Sequence, residues 1–334
     1  MNQVNYRFKG LYNLLFSYLC VNNNDAVLVC FESSRRNIIK ELKLLVRKRN
    51  LNFAELKIDY DGVVIPETIL EKMLDNTHNV IIFFLRNSIW HKRERWIAKH
   101  RLKKRLCSYS GTLKMLADGP CLAEPSKLKL ICEDLKKHLK NVKSIIVTSE
   151  KTYLTAEVNG VFFEDGDYSK PGTGGNFPAG EISFGLKEES INGYLYSNIK
   201  VKHLGISKDN NRAIFKVKND RIFIEPECKK FINLIDGYPE LEYIGEISFG
   251  ISPYKTIYNY RDSIQEEKIL GTAHIGLGSN ISFGGRREGR HLDVVFGPCS
   301  FTVDELSIIK NGKLNSRLLS DKTIKWLRDF NVLF

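Results

Sequence analysis

The chain has 334 residues, 43% of them hydrophobic and 27% charged, and a formal net charge of +12. That length suffices for two domains with sizeable cores, and the balance is that of a globular protein, which excludes collagen-like, low-complexity and intrinsically disordered classes. The charge is unevenly placed: residues 1–150 carry 27 Lys and Arg against 15 Asp and Glu, whereas residues 151–334 carry 24 of each.

The first residues lack the basic-then-apolar order of a signal peptide. No apolar run approaches the roughly 20 residues of a membrane helix, so a membrane partner is not expected. The seven cysteines are scattered and form no Cys-x-x-Cys, which argues against a disulfide framework or a cysteine zinc site. Reduced thiols fit a cytoplasmic location.

In chain order, Asp25–Phe31 reads as a strand, and residues 37–48 repeat apolar positions at three and four, the pattern of an amphipathic helix. Leu56–Asp59 reads as a second strand. Pro66–Leu74 reads as a helix with proline at its first position. Val80–Leu85 is an apolar strand, and the basic segment Ser88–Leu106 reads as a long helix. Lys127–Leu139 is a further helix and Val142–Thr148 a strand leading out of the domain. This alternation predicts an α/β domain with a parallel sheet over residues 1–150. No Gly-x-Gly-x-x-Gly follows the first strand, so a dinucleotide fold is not indicated. Beyond 150 the texture changes to short strands (160–163, 221–225, 246–249) between Gly, Pro and Asn turns, with a loop at Asp167–Ala179. Residues 151–334 are therefore expected to form a β-rich α+β domain.

The chemistry-bearing residues concentrate in that second half. Gly271-Thr-Ala-His-Ile-Gly-Leu-Gly278 is followed by Arg290-His-Leu-Asp293. His291 and Asp293 lie two apart, so on a strand both face one side. Imidazole with carboxylate suits a borderline divalent metal. Glu181, Glu246 and Glu267 stand in glycine-marked settings and supply more ligand than one ion needs.

These motifs resemble the aminopeptidase T/aminopeptidase S family of dinuclear metalloaminopeptidases. The resemblance rests on Asn176-Phe-Pro-Ala-Gly-Glu181, Asn192-Gly193, Gly245-Glu246, the stretch Glu266–Gly278, Gly284-Gly285 and His291-Leu-Asp293, in matching order over about 120 residues. Ser88-Ile-Trp-His91 resembles the family's Ser-x-x-His-Thr segment. The resemblance implies two divalent ions, zinc, cobalt or manganese, held by Glu181, Glu246, Glu267, His274, His291 and Asp293. It implies a hydrolase that removes the N-terminal residue of peptides, with Glu246 or Glu181 as proton carrier, in a homodimer. One position departs: where the family has tyrosine, seven residues after the first ligand histidine, this chain has Ile281, with Asn280 and Arg286 as candidate substitutes. The motifs also resemble the dihydroxypyridine dioxygenases, which implies the alternative of one iron(II) held by His274, His291 and Asp293. A catalytically weak, pathway-dedicated member of the family is the third reading.

The run His91–Arg105 holds eight Lys or Arg and one Glu. It is read as a solvated face with Trp96, Ile97 and Leu102 packed inward, because no recognition motif or stacking platform accompanies it and a nucleic-acid partner is not expected.

Overall fold

The computed structural model describes residues 8–62, 64–90, 92–257 and 265–334. Contacts divide the chain into two compact units, one of residues up to Ser126 with Gly166–Ala179, the other of Lys127–Asp165 with Gly180–Phe334.

The first unit is built on a parallel sheet of five strands. Their order is Asn52–Lys57, Ala26–Phe31, Val80–Phe84, Arg105–Tyr109 and Gly174–Asn176. Val80–Phe84 is buried along its whole length, as a central parallel strand with both faces covered should be. On one face Ile81, Phe83, Leu28 and Leu106 pack with Ile69 and Met73 of the helix Glu67–Leu74 and Ala98 of the helix Arg93–His100. The amphipathic helix spans Arg36–Arg49 and buries Ile38, Ile39, Leu42 and Val46. It ends at Asn50, whose left-handed φ of 51° closes the helix as asparagine readily does. Pro66 precedes the first helical residue instead of being it.

Three differences from expectation concern this unit. The basic segment 88–106 is not one helix: the helix covers Arg93–His100, and Arg105–Tyr109 is a sheet strand. Nor is the basic run simply a solvated face. Trp96 and Leu102 are exposed, while Arg95, Lys104 and Arg105 are buried. Arg105 forms a buried ion pair with Asp25, and Lys104 Nζ reaches Asp75 Oδ1 at 3.3 Å and the Lys72 carbonyl at 3.1 Å. Buried cations persist where partners compensate their lost hydration, and composition alone does not reveal those partners. Finally, the expected loop 167–179 contains the fifth strand, Gly174–Asn176, which the sequence Gly-Gly-Asn conceals because it lacks strand-forming side chains.

The second unit carries a sheet of 14 strands among the described residues. Its central path runs Lys200–Val201, His291–Phe296, Ala273–Gly278, Ile244–Gly250, Glu181–Leu186 and Thr152–Glu164, all antiparallel. Ser144–Ser149 pairs with Thr152–Glu164 and with Ser300–Val303, so this strand lies within the second unit, on the near side of the border drawn at 150 from texture. The helix Pro125–Lys136 is fastened there too: Asp134 Oδ2 accepts from Ser320 N, Ser320 Oγ and Thr323 Oγ1 at 2.9, 2.7 and 2.6 Å. Phe184, Phe249 and Phe301 pack together on one side of this sheet, and the polar cluster described next occupies the other. An α/β unit with a parallel sheet is thus joined to a β-rich unit.

Candidate metal centre

Strand register gathers the site. Glu246 lies opposite Gly276, which lies opposite Asp293; Ser248 lies opposite His274; Gly278 lies opposite His291. On the other side Ser248 faces Ser183, Gly250 faces Glu181, and Glu181 faces Glu164. Residues two apart on each strand share a face, so all these side chains project from one side of the sheet. Between the ligand-type residues stand Ser183, Ser248, Gly250, Gly276 and Gly278, and these small residues leave the space open. A bulge at Gly245, where the pairing slips between Ile244 and Glu246, sets the direction of Glu246. Glu267 arrives separately, on the short 3₁₀ turn Glu266–Lys268.

All six candidates come together. His274 Nε2 stands 3.5 Å from Glu181 Oε2 and 3.6 Å from Glu246 Oε1. His291 Nε2 stands 3.3 Å from Glu246 Oε2 and 2.9 Å from Asp293 Oδ1. Glu246 therefore turns one oxygen toward each imidazole, and Ser248 Oγ donates to its Oε1. Three groups offer ligand atoms within 4.8 Å of one another: Glu181, Glu246 and His274; Glu246, His291 and Asp293; Glu267, His274 and Asp293. None of these groups contains both histidines.

The electrostatics belong to a site that wants positive charge. Burial pushes Glu181 well above the ordinary carboxylate range; Lys268 opposes this, and Glu164, Glu246 and Glu267 reinforce it. Burial works against the charge of Glu246 too, but the hydrogen bonds and charges of His274 and His291 outweigh it and hold Glu246 well below that range. Burial would lower His291, yet Asp293 and Glu246 push it up to about 10. A proton held so firmly between two carboxylates stands where a cation is favoured.

The donor set fits a metal ion. His291 Nδ1 lies 3.0 Å from the Ser279 carbonyl, which can only accept, so Nδ1 carries a hydrogen and Nε2, which faces the carboxylates, is the nitrogen a metal would take in place of its proton. Glu267 Oε2 and His274 Nδ1 are buried and have no hydrogen-bond partner among the described residues.

Three members of this cluster, Glu164, Lys200 and Lys202, are not singled out by the sequence, and a fourth, Lys268, stands out there only as the neighbour of Glu267 that could pair with a ligand carboxylate. Lys268 Nζ lies 2.5, 3.1 and 3.6 Å from Glu181, Glu267 and Glu164. Lys202 Nζ lies 2.9 Å from Asp293 Oδ2, and Lys200 Nζ 2.5 Å from Glu266 Oε1. Of these only Lys268 had a local signal, its place beside Glu267. At the family's tyrosine position, Ile281 opens a short 3₁₀ turn and is half-buried. Asn280 is engaged in its own loop, accepting from Arg287 N at 2.8 Å, and Arg286 is exposed. His91 lies outside the described residues. Ser88 belongs to the first unit, where its hydroxyl lies 3.4 Å from both Ser108 Oγ and Asn176 Oδ1.

No family model and no curated protein matches the chain in sequence. Solved structures do match. One is a 2,5-dihydroxypyridine dioxygenase from Pseudomonas putida KT2440, with a TM-score of 0.75 and 15% identity, covering 95% of this chain and 98% of that one. Another is wild-type AmpT from Thermus thermophilus, with a TM-score of 0.57 and 10% identity, covering 92% and 98%. At such identities the likeness establishes a shared fold and no more. No helix among the described residues is long and apolar enough to cross a membrane.

Proposed function

We propose that the chain is a metal-dependent aminopeptidase that removes the N-terminal residue of short peptides at a centre of two divalent ions. The observation that carries this reading is Glu246, whose two oxygens face two different imidazoles and so join two three-residue ligand groups. A carboxylate shared in this way is the natural bridge between two cations. The fold shared with AmpT (aminopeptidase T) adds to it.

In this reading Glu181, Glu246 and His274 hold one ion, Glu246, His291 and Asp293 the other, and Glu267 completes the shell. When bound, a pair of divalent ions polarises a carbonyl and lowers the pKa of water. The chain's own residues do the rest. Lys202 on Oδ2 of Asp293 fixes which oxygen of that carboxylate faces His291. Glu246 would be the carboxylate shared by the two groups, and Glu246 or Glu181 would take a proton from the attacking water and deliver it to the leaving amine. The same reading carries a cytoplasmic homodimer.

Two observations favour a second reading, a mononuclear iron(II) dioxygenase. The fold match to the 2,5-dihydroxypyridine dioxygenase has the higher TM-score of the two, and Lys268 with Lys202 neutralises part of the acidic set. Elemental analysis after reconstitution separates the readings. Two ions per chain with release of free N-terminal amino acid from di- and tripeptides supports the aminopeptidase. One iron per chain with oxygen uptake on 2,5-dihydroxypyridine, and no peptide cleavage, overturns it.

A further inference from the structure

A lysine flanks each half of the centre, but only Lys268 sits on the same carboxylate oxygen that faces an imidazole, Glu181 Oε2. The Lys268 side chain is 3% exposed, and its ammonium touches Glu181 and Glu267 with Glu164 just beyond. Glu164 and Glu181 face each other directly across two strands, an arrangement in which like charges repel. The ammonium near both relieves that repulsion. Its backbone is held as well: Lys268 N donates to the Gln265 carbonyl at 3.0 Å, and its own carbonyl accepts from Ser252 N at 2.8 Å. The other half differs. Beside Glu246, His291 and Asp293 the nearest lysine is Lys202, on the Asp293 oxygen that does not face His291.

We infer that Lys268 makes the two ion positions unequal, so that one divalent ion binds tightly at Glu246, His291 and Asp293 and the second weakly at Glu181, Glu246 and His274. The inference rests on the two-ion reading above. The Glu181 oxygen that faces His274, Oε2, is the one Lys268 contacts, so an ion held between Glu181 and His274 would lie close to a unit positive charge in a buried setting, where such repulsion is screened little. The distal position feels the same charge from farther away.

The test titrates the metal-free full-length protein with cobalt(II), followed by calorimetry and visible absorption, in the wild type and in Lys268→Met, Lys268→Arg and Glu181→Gln. The wild type should show two steps with dissociation constants at least about tenfold apart. Lys268→Met should tighten the second step about tenfold or more and move the first far less, while Lys268→Arg, which keeps the charge, preserves the gap. Glu181→Gln should lose the second step alone, and it decides the matter if Lys268→Met does not fold. Two steps of equal affinity in the wild type, an unchanged gap in Lys268→Met, or loss of the first step in Glu181→Gln overturns the inference while two-ion binding stands. A single ion in the wild type and in every variant overturns the two-ion reading itself, and the inference with it.

Discussion

Gly276 offers a perturbation that separates the site from the fold. It sits mid-strand between Glu246 and Asp293, and its φ is not in the left-handed region, so the backbone accepts alanine. The side chains beside it do not. A Cβ at 276 would stand 2.4 Å from His291 Cε1, 2.6 Å from His291 Nε2 and 3.0 Å from Glu246 Oε2, against 3.4 Å for ordinary contact. The imidazole must therefore retreat by about 1 Å, and it is pinned from behind by the Ser279 carbonyl. A methyl forced into a packed site costs about 1–3 kcal/mol. A ligand displaced by this much should lower metal affinity at least as much as loss of an outer partner does, about 10- to 100-fold. Gly276→Ala should thus unfold at a modestly lower denaturant midpoint with an unchanged m-value, and lose metal affinity out of proportion to that loss. Chemical denaturation and cobalt calorimetry on the same preparation read both. Wild-type affinity in a folded Gly276→Ala protein would refute the placement of His291 in the centre.

Glu246→Gln keeps the shape of the side chain but removes the charge that both ligand groups share, so metal affinity should fall at least about 100-fold and peptide release with it; dialysis against a metal buffer measures the first. Burial works against the charge of Asp134, but bonds from Lys137, Thr323 and Ser320 hold its pKa down at about 2. A depressed carboxylate stabilises above its unfolded pKa and loses that contribution as pH falls through the folded one. Asp134→Asn should therefore cost at most about 2.5 kcal/mol at pH 7, less where solvent screens it, and the difference from wild type should shrink toward pH 2 in urea titrations. Arg105→Met leaves Asp25 buried without its cation and should cost about 3–5 kcal/mol, whereas Arg101→Gln with Lys103→Gln, both exposed, should stay within about 0.5 kcal/mol each in the same assay.

The strength and the limit of reading this sequence have one origin, the range of the interactions involved. The helix at Arg36–Arg49 and the strands at Ala26–Phe31 and Val80–Phe84 were legible because periodicity and side-chain shape act within one segment. His291 and Asp293 were placed correctly on one strand face because two residues suffice to set that geometry. Residues 100–105 were misread because the basic composition suggested one continuous solvated helix. What turns Lys104 and Arg105 inward is Asp75 and Asp25, which are 29 and 80 residues away in sequence.

The same limit applies inside the candidate metal centre, where it bears on the chemistry. The six candidate ligands were named from the family resemblance that their short motifs carry, each motif being local in sequence. The groups that tune them could not be named in this way. Glu164 joins the cluster only through its cross-strand pairing with Glu181, and Lys202 only because its short edge strand docks beside His291–Phe296. A count of carboxylates along the sequence therefore overstates the negative charge that an incoming ion meets. Lys268 cancels one charge on the Glu181 side and Lys202 one beside Asp293, while Glu246 between them is met only by imidazoles and a hydroxyl. Glu246 is thus the carboxylate whose charge both imidazoles hold, and it is also the residue whose oxygens are divided between the two groups. Charge and geometry select the same carboxylate as the centre of the site, and they do so independently of any relative.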